Sequence, residues 1–153
     1  MKKWLMMVTA IFATVMLVGW SEASKDYFKR GESAFNSKNY TEAVKWYRKA
    51  AEQGYAEAQY IYGRCCLDGT GIAKNPSEGV KWLLKAAEQG NVNAMYDAGV
   101  CYCDGIGVKR NIDMALKYFV LAEKAGHPKC KNKAYEEKLT AATLEENGLN
   151  FNF

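Results

Sequence analysis

The chain has 153 residues, 49% of them hydrophobic, one domain's worth of sequence with enough apolar material for a real core. Its 21 Lys and Arg against 17 Asp and Glu leave a formal charge of +4, too small and too scattered to argue for nucleic acid as a partner. The single histidine, His127, precedes Pro128 in a turn-like stretch, where a structural turn role is expected; one histidine excludes a multi-histidine zinc site, and no residue pattern calls for a metal or a cofactor.

The first element is the stretch "MKKWLMMVTAIFATVMLVGWSEAS". Lys2 and Lys3 form a positive start, residues 4–18 are apolar apart from two threonines, and Ser21 and Ala23 are small. That order predicts a signal peptide over 1–23, cut after Ala23, and therefore an exported protein, periplasmic or secreted. The apolar run is shorter than the roughly 20 residues a spanning helix needs, which favours cleavage; a link to a membrane is expected only through an uncleaved signal anchor, if cleavage fails.

From residue 24 onward the chain repeats itself. "NYTEAVKWYRKAAEQG" at 39–54 returns as "NPSEGVKWLLKAAEQG" at 75–90, identical at 11 of 16 positions, and more faintly as "KYFVLAEKAG" at 117–126. A second phrase recurs at the same 36-residue interval, "AEAQYIYGRCCLDGTG" at 56–71 and "VNAMYDAGVCYCDGIG" at 92–107. Self-similarity at a fixed period of this size is the mark of a solenoid. The first phrase carries apolar residues at helical spacing, Ala43, Trp46, Tyr47, Ala50 and Ala51, and the second carries a stripe of Gln59, Tyr62, Gly63 and Cys66 at the same period. Asn39 and Asn75 are suited to cap helix starts, Pro76 to the first helical position, and Gly54, Gly90 and Gly126 to helix ends.

The predicted elements are helices near 25–37 and 41–53, 56–67 and 76–89, and 92–103 and 112–125. These make three hairpins over 24–127. A C-terminal capping helix follows over 128–147, then a tail at 148–153. Glycines at 63 and 99, inside helices where glycine costs about 1 kcal/mol relative to alanine, predict close helix–helix approach.

The spacing A-x-x-x-x-G-x-x-Y-x-x-G-x-G is met by Ala94, Gly99, Tyr102, Gly105 and Gly107, and Lys109, Arg110 and Asn111 follow. On these residues the chain resembles the Sel1-like repeat, while Gly31, Ala43, Tyr47 and Ala50 of the first hairpin resemble a tetratricopeptide unit. The resemblance implies an all-α, right-handed α-solenoid that acts as a scaffold or adaptor and holds a protein or peptide partner on its concave face. In such a stack the first helices line that face, which makes Phe28, Phe35, Tyr60, Arg64, Tyr96 and Val100 the candidate partner-binding residues, with Cys103 on the same stripe. Rigid aromatics beside an arginine are what binding hot spots favour.

Cys66 stands where the unit has tyrosine. Five cysteines in an exported chain predict disulfides: Cys65 or Cys66 with Cys101 or Cys103, and the other of that pair with Cys130. Cysteine-rich relatives with penicillin-binding or penicillin-hydrolysing activity supply the alternative function, a β-lactamase-type hydrolase. Their cysteines lie eight residues apart, a spacing no pair here has. Nor does any serine have a lysine three residues on, the arrangement that puts both on one helix face. No catalytic residue is expected.

Overall fold

Asparagine opens the second helix of every hairpin. The Asn39 side chain accepts a hydrogen bond from the Glu42 backbone N–H at 3.3 Å, Asn75 from Glu78 at 3.2 Å and Asn111 from Met114 at 2.9 Å, each satisfying a donor the helix cannot pair internally. At the other end Gly54, Gly90 and Gly126 take positive φ, as the sequence leads one to expect. Between these signals the computed structural model, which describes residues 22–130 and Thr140, places six helices up to residue 130. They are α1 over 22–36, α2 Tyr40–Glu52, α3 Ala56–Asp68, α4 Pro76–Glu88, α5 Val92–Asp104 and α6 Ile112–Lys124. No strand occurs among the described residues, and no helix among them is long and apolar enough to cross a membrane.

The expected signal segment up to residue 21, the capping helix beyond residue 130 and the tail at 148–153 lie outside the described residues. The expected cut after Ala23 falls inside α1, directly before Ser24, which is buried.

Three hairpins, α1–α2, α3–α4 and α5–α6, are built around one recurring contact. A glycine of the first helix receives a large side chain of the second. A Cβ at Gly31 would lie 2.6 Å from the Tyr47 ring, one at Gly63 3.3 Å from Leu83 Cδ2, and one at Gly99 2.8 Å from the Phe119 ring. The close approach expected at Gly63 and Gly99 is therefore present, and it extends to Gly31. In the middle hairpin even the backbones touch, since a Cβ on Gly79 would sit 2.8 Å from the Gly63 carbonyl oxygen. Leu83 and Phe119 are fully buried, and burying such a side chain is worth about 1.5–3 kcal/mol.

Hairpins join through polar ties and through loops. Gln59 of α3 donates to the Ala51 carbonyl of α2 at 3.2 Å, and Asn91 at the start of α5 donates to Glu57 of α3 at 2.8 Å, while Gln89 donates to Gln59 at 2.6 Å within their own hairpin. The loop after α3 brings Gly71 against the start of α2, and the loop after α5 brings Gly107 against the start of α4. A Cβ at either glycine would overlap the carbonyl of Tyr40 or Pro76, and both glycines have φ near +70°, a conformation L side chains resist. Each loop thus reaches back to the preceding hairpin.

Candidate functional site

All four helices of the two later hairpins bury apolar residues. A polar tie joins α3 to α5. Arg64 sits on an outer turn of α3, and its guanidinium donates to Asp97 of α5 at 3.2 Å, to Asp68 at 3.4 Å and to the Tyr60 hydroxyl at 3.4 Å. Burial works against the Arg64 charge, but Asp97, Tyr60 and Asp68 outweigh it and hold its pKa above the usual arginine range. Tyr60 is held above the ordinary tyrosine range by burial and by Asp97. The Arg64–Asp97 pair is partly open to water, so its stabilising effect is small, ~1 kcal/mol or less.

Above this pair lies a cleft of about 450 Å³, within the size range of ligand sites. Leu67, Val100, Cys101 and Ile106 supply its apolar lining, and Lys74 and Lys129 join Arg64, Asp68 and Asp97 as its charges. Tyr96 closes one side, stacked on His127 at 4.4 Å between ring centroids and tilted against Phe119 at 5.5 Å, with the Lys129 ammonium 5.2 Å from its ring. Burial lowers the His127 pKa, Asp97 opposes that and Lys129 adds to it. Among the described residues no cluster of His, Cys, Asp and Glu could hold a metal ion.

Of the residues the sequence singles out, Arg64, Tyr96 and Val100 meet in this cleft and Tyr60 bonds to its arginine. Phe28 does not. It packs on the first core cluster, against Tyr47 at 5.6 Å and Tyr55 at 5.1 Å. Phe35 is exposed, edge-on to Tyr40 at 5.0 Å, one hairpin away from the cleft. Cys103 is buried with Phe119 and Cys130 in the last core cluster, whereas Cys101 two residues earlier borders the cleft. The sequence reading missed Asp97, Lys74 and Lys129. Asp97 carried a signal, because it occupies the repeat position held by Ile61, and an acid in place of an apolar residue needs a partner.

The comparisons with known proteins bear on the fold first. The Sel1 repeat model matches residues 32–55, 56–91 and 92–127, together more than half of the chain. The chain belongs to the Sel1 repeat family. Two solved structures carry the same repeats. A Sel1 repeat protein from Oxalobacter formigenes is 43% identical over 57% of this chain and 36% of its own, with a TM-score of 0.56. A protective antigen present in uropathogenic Escherichia coli strains, displaying an SLR fold, is 33% identical over 75% of this chain and 26% of its own, with a TM-score of 0.68. The chain thus spans about a third and a quarter of the lengths of these two proteins. Helicobacter pylori cysteine rich protein B, 18% identical over 74% of this chain and 93% of its own with a TM-score of 0.58, shows the shared fold alone. A search of curated proteins returned no match.

Within the Sel1 frame the cysteines take small-residue places. None of the expected bridges is formed: Cys65, Cys66, Cys101, Cys103 and Cys130 are all buried thiols. Distribution separates Cys65 and Cys66, in the first core cluster, from Cys101 in the second and Cys103 in the third. Cys103 and Cys130 share that third cluster and stay thiols, Cys130 with its Sγ 3.9 Å from His127 Nδ1. Cys130 occupies the repeat position of Ala58 and Ala94, both fully buried, a role in which cysteine behaves as a small hydrophobe. Burial pushes the Cys65 thiol up to about 11, with Cys66 and Asp68 adding to the shift, and burial raises Cys66 and Cys130 as well. Thiols so raised carry little thiolate near neutral pH and are poor nucleophiles.

Proposed function

We propose that this Sel1 repeat chain is an exported scaffold or adaptor, periplasmic or secreted, that holds a protein or peptide partner in the cleft between α3 and α5. Proteins of this repeat family commonly act through protein–protein interaction. The observation that carries the reading to these residues is the Arg64–Tyr60–Asp97 network beneath a cleft walled by Tyr96 and Val100, an aromatic and arginine pairing of the kind that anchors interfaces. Export rests on Lys2, Lys3 and the apolar run that follows them.

The test is a photocrosslinking amino acid placed at Val100, in the cleft, and separately at Lys45, an exposed residue of α2, in cells that make the protein. A discrete adduct from Val100 that Lys45 does not give is the expected result. Adducts from both positions alike, or from neither, would refute the cleft as the partner site. Fractionation of the same cells tests export, since the protein should be recovered outside the cytoplasm and shortened by the first 23 residues.

A further inference from the structure

The acids of the cleft are already answered, because Asp97 and Asp68 both bond to Arg64. Its lysines are not. Lys74, just before α4, and Lys129, just after α6, both line the cleft, and neither pairs with a carboxylate among the described residues. The lining therefore carries three cations against two acids. Two exposed ammonium groups flank an apolar wall of Leu67, Val100 and Ile106, the last of them 39% exposed.

We propose that the occupant of this cleft is an acidic, extended peptide segment of the partner. An aliphatic side chain of that segment sits against Leu67, Val100 and Ile106, and carboxylates on either side of it meet Lys74 and Lys129. The volume excludes a folded domain and suits a few residues of chain. Charge complementarity of this kind raises the rate of encounter and rejects basic sequences more than it adds raw affinity. Lys129 is also held near the Tyr96 ring, so less side-chain freedom is lost when a carboxylate arrives. The inference rests on the scaffold reading above and adds the chemistry of the ligand.

A random heptapeptide library displayed on phage and selected on the immobilised protein tests it. Enriched sequences should carry two or more Asp or Glu around a Leu, Ile or Val. A synthetic peptide of the leading sequence should lose at least about tenfold in affinity on the Lys74→Glu/Lys129→Glu variant, and a comparable amount when its acids become Gln or when salt is raised to about 0.5 M. Both lysines are exposed, so the variant should keep the circular dichroism spectrum of the parent. Enrichment of aliphatic sequences without acids would overturn the acidic preference and leave the cleft as a docking site. Enrichment of basic sequences, or none, would overturn the proposal, and crosslinking at Val100 then decides separately whether a partner still occupies the cleft. A dimer detected by sedimentation that blocks peptide binding would assign the cleft to a second copy of the chain and would overturn it too.

Discussion

Tyr62 and Cys66 on α3 fill the space that Ala98 and Tyr102 fill on α5. Trp82 and Tyr118 are repeat-equivalent rings, and each needs an aromatic partner on its first helix. Tyr62 meets Trp82 edge-on at 5.5 Å, while Tyr102 stacks on Tyr118 at 5.8 Å. The two partners sit one helical turn apart within their repeats, and the other position shrinks to compensate, to Cys66 in one helix and Ala98 in the other. Cys66 is therefore small because Tyr62 is large. In a double-mutant cycle Tyr62→Ala should cost about 3 kcal/mol and Cys66→Tyr about 1–3 kcal/mol. The double variant, which copies the α5 arrangement, should show a favourable coupling of about 1–2 kcal/mol. Urea unfolding measures all three, and strict additivity would show that the two positions do not share one space. The sequence displayed the departure at Cys66 and concealed its cause, since the compensating residue is legible only once the ring it touches is known. The same holds for Arg64 and Asp97. They lie 33 residues apart, off the 36-residue period, and only the lean of one helix on the next brings them together.

At the scale of elements the chain announces itself plainly. The asparagine caps, the glycine ends and the apolar stripes are local properties, governed by backbone donors and side-chain period, and the helices begin and end within a few residues of where those signals put them. The Gly-x-Gly loops are different. Their spacing was visible, yet their contact with the preceding hairpin was not, because loop docking depends on where another element already lies. Gly107 illustrates the distinction. Gly107→Ala should destabilise by at least about 2–3 kcal/mol, combining a disfavoured φ with overlap against Pro76. Gly90→Ala, at φ +90° with nothing within 4 Å, should cost only the backbone strain, about 1–2 kcal/mol. Equal losses in urea midpoint for the two variants would mean that the loop does not bear on α4.

For the whole molecule the unit of construction is the 36-residue repeat, and α2 to α6 share one length of 13 residues, so a unit can be removed in register. Excising residues 56–91 joins α2 to α5 as it was joined to α3. It should leave a helical protein whose midpoint falls by about 15 °C or more, since one hairpin and one interface are lost. Excising 62–91, six residues fewer, breaks the register and should abolish cooperative unfolding in a thermal melt. Similar melting of the two would show that stacking does not depend on the period. The backward reach of the Gly71 and Gly107 loops gives this stack a direction. Every later unit carries the clasp that fastens its predecessor, so a lengthened array would need no change in the units already laid down, and damage to one clasp would loosen the neighbour before it loosened its owner.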